Sequence, residues 1–134
     1  AYVDGSYNQK LKVYGSGVVY ITEGKEKELM KSYNDSYHIH RNVAGEVKAS
    51  ELAIGEAIKD NKDQIVVYHD YQGIASWADG SWKTNNDLTK SYKRYIDESR
   101  KKIKINFVKV KGHSNDKYND KADLLAKKAC GIEI

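Results

Sequence analysis

The hydrophobic period of this chain changes at Asn42, and that change narrows the folds open to it more than any other feature. Before it, Tyr2 to Tyr7, Val13 to Thr22 and Glu28 to Tyr37 alternate as strands do, with Glu23-Gly24-Lys25 as the turn between the last two. Three such runs in succession read as an antiparallel meander. After it, Val43, Val47, Ile54, Ala57 and Ile58 share one helical face, with Asn42 as the N-cap and Lys59-Asp60-Asn61 as the stop.

From there strands and helices take turns. Ile65 to Tyr68 is a short apolar run suited to a buried strand, and it ends at His69-Asp70, where a short helical segment from Gly73 to Trp77 begins. The turn-rich stretch 78–87 leads to a helix with Leu88, Tyr92, Tyr95, Ile96 and Ser99 on one face and basic residues elsewhere. Ile103, Ile105 and Phe107 alternate as a strand, and 112–116 forms a loop. Tyr118, Ala122, Leu125, Ala126 and Ala129 define a last helix closed by Gly131. The order βββαβααβα predicts an α/β fold: a mixed five-stranded sheet, antiparallel in its first three strands and extended by crossovers, with helices on both faces.

At 134 residues the chain suits one domain spanning 1–134, large enough to bury a core without a disulfide. Cys130 is the only cysteine and stands apart from any His-rich spacing, so neither an internal disulfide nor a thiolate metal site is available. No run approaches a membrane span and no signal-peptide pattern is present, so the expected place is the cytoplasm and no membrane partner is expected. Lys and Arg outnumber Asp and Glu by 23 to 19, with eleven Tyr scattered through the chain. That balance suits a polyanionic partner, although mild basicity also serves solubility.

Four acids occupy unusual places. Asp4 interrupts the apolar strand around Val3, where β-propensity disfavours it. Glu46 adjoins Val47 on the first helix, Asp70 follows four apolar residues at a strand end, and Asp123 follows Ala122 at the rim of the last helix's buried stripe. Taken singly, each has an ordinary explanation as a cap or a solvated side chain. Clustered carboxylates repel one another unless a cation neutralises them, and an all-oxygen set selects hard ions such as Mg²⁺ or Mn²⁺. Two such ions suit phosphodiester hydrolysis.

Asp4-Gly5-Ser6, Asn42 through Glu46, Asp70-Tyr71-Gln72, and Val110-Lys111-Gly112-His113 followed by Asn119 and Asp123 resemble, in order, the motifs of type 1 ribonucleases H, in the style of Gram-positive members of bacterial ribonuclease HI. The resemblance spans essentially the whole chain. It implies two Mg²⁺ ions per site, with Mn²⁺ as a substitute, held by Asp4, Glu46, Asp70 and Asp123, with Asp4 bridging both. It assigns His113 to proton transfer or product release and implies cutting of the RNA strand of an RNA/DNA hybrid, giving 5′-phosphate and 3′-hydroxyl ends.

The same resemblance places Gly5, Ser6, Asn42, Gln72 and Asn119 against the hybrid near the cut, and Trp82 and Lys83 on its DNA strand. Trp77 reads first as a core anchor. Several features depart from the family pattern: Tyr7-Asn8-Gln9-Lys10 replaces a glycine-rich turn, Val43 a second Asn, and Tyr71 a common Ser, while 85–87 passes quickly into the next helix where relatives carry a basic protrusion. Some relatives of this style carry a small hybrid-binding domain upstream, and with Ala1 opening inside a strand such a domain is an expectation here, as is a monomer. Two rivals share some features. A transposase or integrase core relies on a late helical Glu and lacks a position like Glu46, and a binding module without catalysis has no use for four acids beside a polyanion.

Overall fold

The computed structural model describes residues 1–111 and 116–132. Its strands are β1 (Tyr2–Asn8), β2 (Val13–Thr22), β3 (Lys25–Tyr33), β4 (Gln64–His69) and β5 (Lys104–Lys109). Its helices are α1 (Asn42–Lys59), α2 (Gly73–Asp79), α3 (Asp87–Ser99) and α4 (Lys117–Ala129). The sheet order is β3-β2-β1-β4-β5. β1, β2 and β3 pair antiparallel, whereas β4 joins β1, and β5 joins β4, in parallel. This is the mixed sheet expected from the change of period.

The alternation of side chains along the sheet divides the core in two. Val3, Val18 and Val67 face α1 and α3, where Ala44, Val47, Ile54, Ile74, Leu88, Tyr92 and Ile96 complete the larger cluster. On the other face Val19 packs with Ala122 and Leu125 of α4. Glycine lets both helices come close. A Cβ on Gly5 would strike the Asn42 carbonyl and the Glu46 amide of α1, and one on Gly17 would strike the Ala122 carbonyl of α4. No described helix is long and apolar enough to cross a membrane.

Two boundaries differ from expectation. β3 begins at Lys25, because Glu23 and Gly24 alone make the hairpin turn, with φ of 53° and 76°, the left-handed pair that matches strand twist. It ends at Tyr33, four residues early. Asp35 accepts the Tyr37 amide at 3.0 Å and the Tyr14 hydroxyl at 2.8 Å, which draws the chain into a 3-10 turn over Ser36–His40. Asn42 is also not the cap of α1. Arg41 takes that position with φ 56° and ψ −133°, its amide bound to the His38 carbonyl, and Asn42 is already helical. By contrast, Asn86 and Thr89 cap α3 reciprocally, a box that local sequence specifies without help from the core.

Candidate active site

The site forms where α1 meets β1 and the end of β4. Gly5 and Gly45 lie in backbone contact, and that contact brings Glu46, the next residue of α1, against Asp4. Glu46 is 2% exposed and Asp4 8%. β4 then delivers Asp70 just beyond its last residue. The Asp70 amide donates to Glu46 Oε2 at 3.0 Å, and the Tyr71 amide approaches the same oxygen at 3.4 Å. Asp4 Oδ1 accepts the Gly5 amide at 2.8 Å.

Each of these three acids offers an oxygen, and those oxygens lie within 4.8 Å of one another. Burial, reinforced by the charges of Asp70 and Asp123, pushes the Asp4 carboxyl up to about 8, against the pull of the Gly5 amide. Burial, with Asp70 and Asp4 adding to it, likewise holds Glu46 well above the usual carboxylate range. Three carboxylates packed this tightly are unfavourable as anions. A hard divalent cation reverses that penalty, and an all-oxygen donor set with two buried members suits one. The residues present therefore fit a metal ion.

Asp123 reaches the same cleft from α4 but stands outside the three-acid set. Its Oδ2 is paired at 2.9 Å with Lys127, one turn along the helix. The cleft, about 190 Å³, is lined by Asp4, Gly5, Asn42, Asp70, Asn119, Asp120 and Asp123. Asn119 is 4% exposed and its Oδ1 has no hydrogen-bond partner among the described residues. Asp120 and Lys127 were not anticipated. Both lie three or four residues from Asp123, which is the spacing of one helical face.

The predicted substrate residues do not all gather here. Gly5, Asn42 and Asn119 line the cleft, and Ser6 follows on β1, mostly buried. Gln72 turns instead to the Ser76 hydroxyl, to which its Nε2 donates at 2.8 Å. Trp82 and Lys83 line a separate groove of about 400 Å³ with Trp77, Gly80, Thr84, Asn85 and Lys93. Trp77 is half-buried, and its ring leans on Tyr71 and Trp82 with centroids 5.7 and 5.8 Å apart, so it belongs to core and surface at once. Tyr71 completes this aromatic group, edge-on to Trp82 at 6.0 Å. His113 lies outside the described residues.

Beneath Tyr71 sits a buried histidine. His69 is fully enclosed, and its Nδ1 lies 2.9 Å from the Tyr71 carbonyl, which can only accept, so Nδ1 carries the proton. Burial pulls the imidazole below its ordinary value and favours the neutral ring.

With this acidic cleft between the central strands of its mixed sheet and two helices, the protein is a nuclease of the hydrolase class, as its family shows. The chain belongs to the RNase H family, whose model matches residues 1–131. It is 28% identical to the ribonuclease H of Clostridium botulinum, over 96% of this chain and 92% of that one. The ribonuclease H of Francisella philomiragia is also 28% identical, over 96% and 88%. Among solved structures, RNase H1 from Halobacterium salinarum superposes with a TM-score of 0.74 at 21% identity, covering 96% of this chain and 93% of the other. LC11-RNase H1, solved in complex with an RNA/DNA hybrid, superposes with a TM-score of 0.73 at 18% identity, covering 96% of each chain. These two share the fold.

Proposed function

We propose that this chain is an endonuclease that hydrolyses the RNA strand of RNA/DNA hybrids with two Mg²⁺ ions, leaving 5′-phosphate and 3′-hydroxyl ends. The observation that carries the reading is the convergence of Asp4, Glu46 and Asp70 within 4.8 Å, with Asp123 facing the same cleft. Membership of the RNase H family supports it, and so does the hybrid bound to LC11-RNase H1.

In this reading Asp4, mid-strand and flanked by the other acids, would hold the ions together with Glu46, Asp70 and Asp123. Divalent ions bound there would supply a water of lowered pKa and neutralise charge on the phosphodiester. The water oxygen attacks phosphorus and the bond to O3′ breaks, so O3′ leaves with a proton as the hydroxyl and the phosphate stays on the 5′ side. The Asp70 and Tyr71 amides hold Glu46 in place, so its carboxylate need not reorganise during the step. Asn119 and Asn42 present polar groups to the RNA beside the cut, and the 2′-hydroxyl is the feature that marks that strand. His113 assists proton transfer or product release. Trp82 and Lys83 hold the DNA strand in their separate groove, and Ser6 and Gln72 contact the hybrid near the cut. The single domain acts as a monomer in the cytoplasm, and an upstream hybrid-binding domain would add grip without altering the chemistry.

The test is direct. Labelled hybrid, single-stranded RNA and duplex DNA are incubated with the protein and Mg²⁺, beside an Asp70→Asn variant, and the product ends are mapped. Cutting of the hybrid alone, lost in the variant and leaving 5′-phosphates, is expected. An intact hybrid, or a variant as active as its parent, would overturn the assignment.

A further inference from the structure

We infer that His69 is a positioning residue for the metal-binding carboxylates, acting through the main chain of Tyr71. The inference rests on the metal-dependent reading of the cleft and extends it to a residue that touches neither substrate nor ion.

The chain turns sharply as β4 ends, and three consecutive residues there have separate duties. Asp70 contributes its carboxylate to the cleft, and the amides of Asp70 and Tyr71 both point at Glu46 Oε2. The orientation of the 70–71 turn therefore sets where the Glu46 carboxylate sits. Nothing in α1 does this alone, since a Glu side chain has three rotatable bonds and each must be held. The Tyr71 carbonyl helps to hold the turn. It accepts the Nδ1 proton of His69 at 2.9 Å, a part-buried bond closed within two residues, and the Ile74 amide of α2 at 3.2 Å.

The imidazole is locked in turn. It is fully buried and meets the Phe107 ring edge-on, with centroids 6.0 Å apart. Its other nitrogen, Nε2, has no partner among the described residues. A buried polar atom left unpaired costs free energy that an aliphatic side chain of similar size would avoid. Among the described residues, the His69 ring therefore has no polar contact at Nε2 and a single one at Nδ1. That contact is on the residue whose amide faces Glu46.

Tyr71 also gives the histidine a second reach. Its ring lies against Trp77 and Trp82, so the turn that aims the Glu46 carboxylate also seats the aromatic groove beside Lys83. One buried donor is in this way common to the acidic cleft and to the neighbouring surface.

A space-filling role and a positioning role predict opposite orders for two substitutions. Leucine fills the site without a donor. Asparagine places an amide nitrogen the same number of bonds from Cα as Nδ1, so it restores the donor while leaving a cavity where the ring was. The stability order is therefore His69→Leu at or above His69→Asn. If His69 positions the turn, the order of Mn²⁺ affinity is the reverse, because supporting contacts of this kind are worth roughly tenfold or more in metal binding.

The experiment measures Mn²⁺ dissociation constants by calorimetry without nucleic acid, with thermal midpoints alongside. Expected is a roughly tenfold weaker affinity in His69→Leu and a loss of about threefold or less in His69→Asn, with the midpoints ranked the other way. Affinities that follow the midpoints, or that do not change in either variant, overturn the inference. Should the leucine protein not fold, His69→Gln replaces it, since its amide nitrogen extends one bond too far to serve the Tyr71 carbonyl, and the same roughly tenfold loss relative to the parent is expected. Failure of the parent protein to bind Mn²⁺ or cut hybrid removes the proposed function and this inference together. A competent parent with the wrong variant order removes only the role of His69.

Discussion

Glu46 Oε2 accepts the amide of Asp70 at 3.0 Å, so one carboxylate of the buried cluster is held by the backbone of the residue that supplies another. This separates the charge of Glu46 from its geometry. Glu46→Gln keeps an oxygen to accept that amide but removes a carboxyl whose ionised form is disfavoured by burial, Asp70 and Asp4. The variant is expected to fold with a thermal midpoint at or above the parent's in metal-free buffer, while hybrid cleavage falls on the order of 100-fold. A lower midpoint would show that the carboxylate contributes to stability and that the repulsion described here is not felt.

The same repulsion fixes the pH dependence of the metal-free protein. The ordinary value of the Asp4 carboxyl is 3.8, and in the fold it is pushed up to about 8, with Glu46 raised as well. Between those values the native state keeps protons that the unfolded chain has released. Stability from these groups is therefore complete below about pH 4 and is lost as pH rises through about 8. Urea midpoints measured in chelator should decline across that window. Saturating Mg²⁺ should oppose the decline, contributing about 2.7 kcal/mol at a concentration one hundred times its dissociation constant. A metal-free midpoint that rises from pH 5 to 8 would contradict the assignment.

How much of this was legible in the sequence depended on whether the signal was local. Asp70 was readable because four apolar residues mark β4 as buried, and Asp4 because it breaks an apolar strand. The end of β3 was not. That strand is an edge whose residues are mostly exposed, so alternation in hydrophobicity carries no register, and its limit is set by the bond from Tyr14 to Asp35 across 21 positions. Asn42 looked like a cap because its residue type favours one, yet a 3-10 turn just before α1 gives that place to Arg41. The grouping of Tyr71, Trp77 and Trp82 was hidden because it depends on how α2 folds back over the end of β4. Lys127 was missed because its type does not distinguish it from Lys121 and Lys128 on the same helix, and the structure pairs it with Asp123.

Gly5 reports on the packing that makes the site. Its neighbours are backbone atoms of α1, which cannot rotate aside, so Gly5→Ala must push the helix away from β1. The expected cost is about 3 kcal/mol, seen as a fall of roughly 10 °C in the thermal midpoint. Because the displaced residue is Glu46, metal affinity should fall along with stability. A well-folded Gly5→Ala protein with parental metal binding would mean that the close contact does not set the position of Glu46.

Lys127 competes with any cation for Asp123. Its ammonium lies 2.9 Å from Oδ2, and the two side chains are 40% and 35% exposed, so the pair is worth little to the fold. Lys127→Met preserves the aliphatic stem and removes the charge. Mn²⁺ affinity is expected to rise about threefold, with the thermal midpoint almost unchanged. Weaker binding in the variant would indicate that Lys127 orients Asp123 instead of competing for it.

The aromatic groove separates affinity from stability in the same way. Trp82 is 40% exposed, whereas Trp77 is half-buried against the core. Trp82→Ala should therefore weaken hybrid binding by about 1–3 kcal/mol, the value of one stacked nucleotide, and leave the thermal midpoint close to the parent's. Trp77→Ala should lower both. Lys83, exposed beside them, contributes charge alone, so Lys83→Ala is expected to reduce the slope of log affinity against log salt by about one without altering the fold. Binding measured at several salt concentrations decides the matter. An unchanged slope in Lys83→Ala, together with parental affinity in Trp82→Ala, would take the hybrid off this groove altogether.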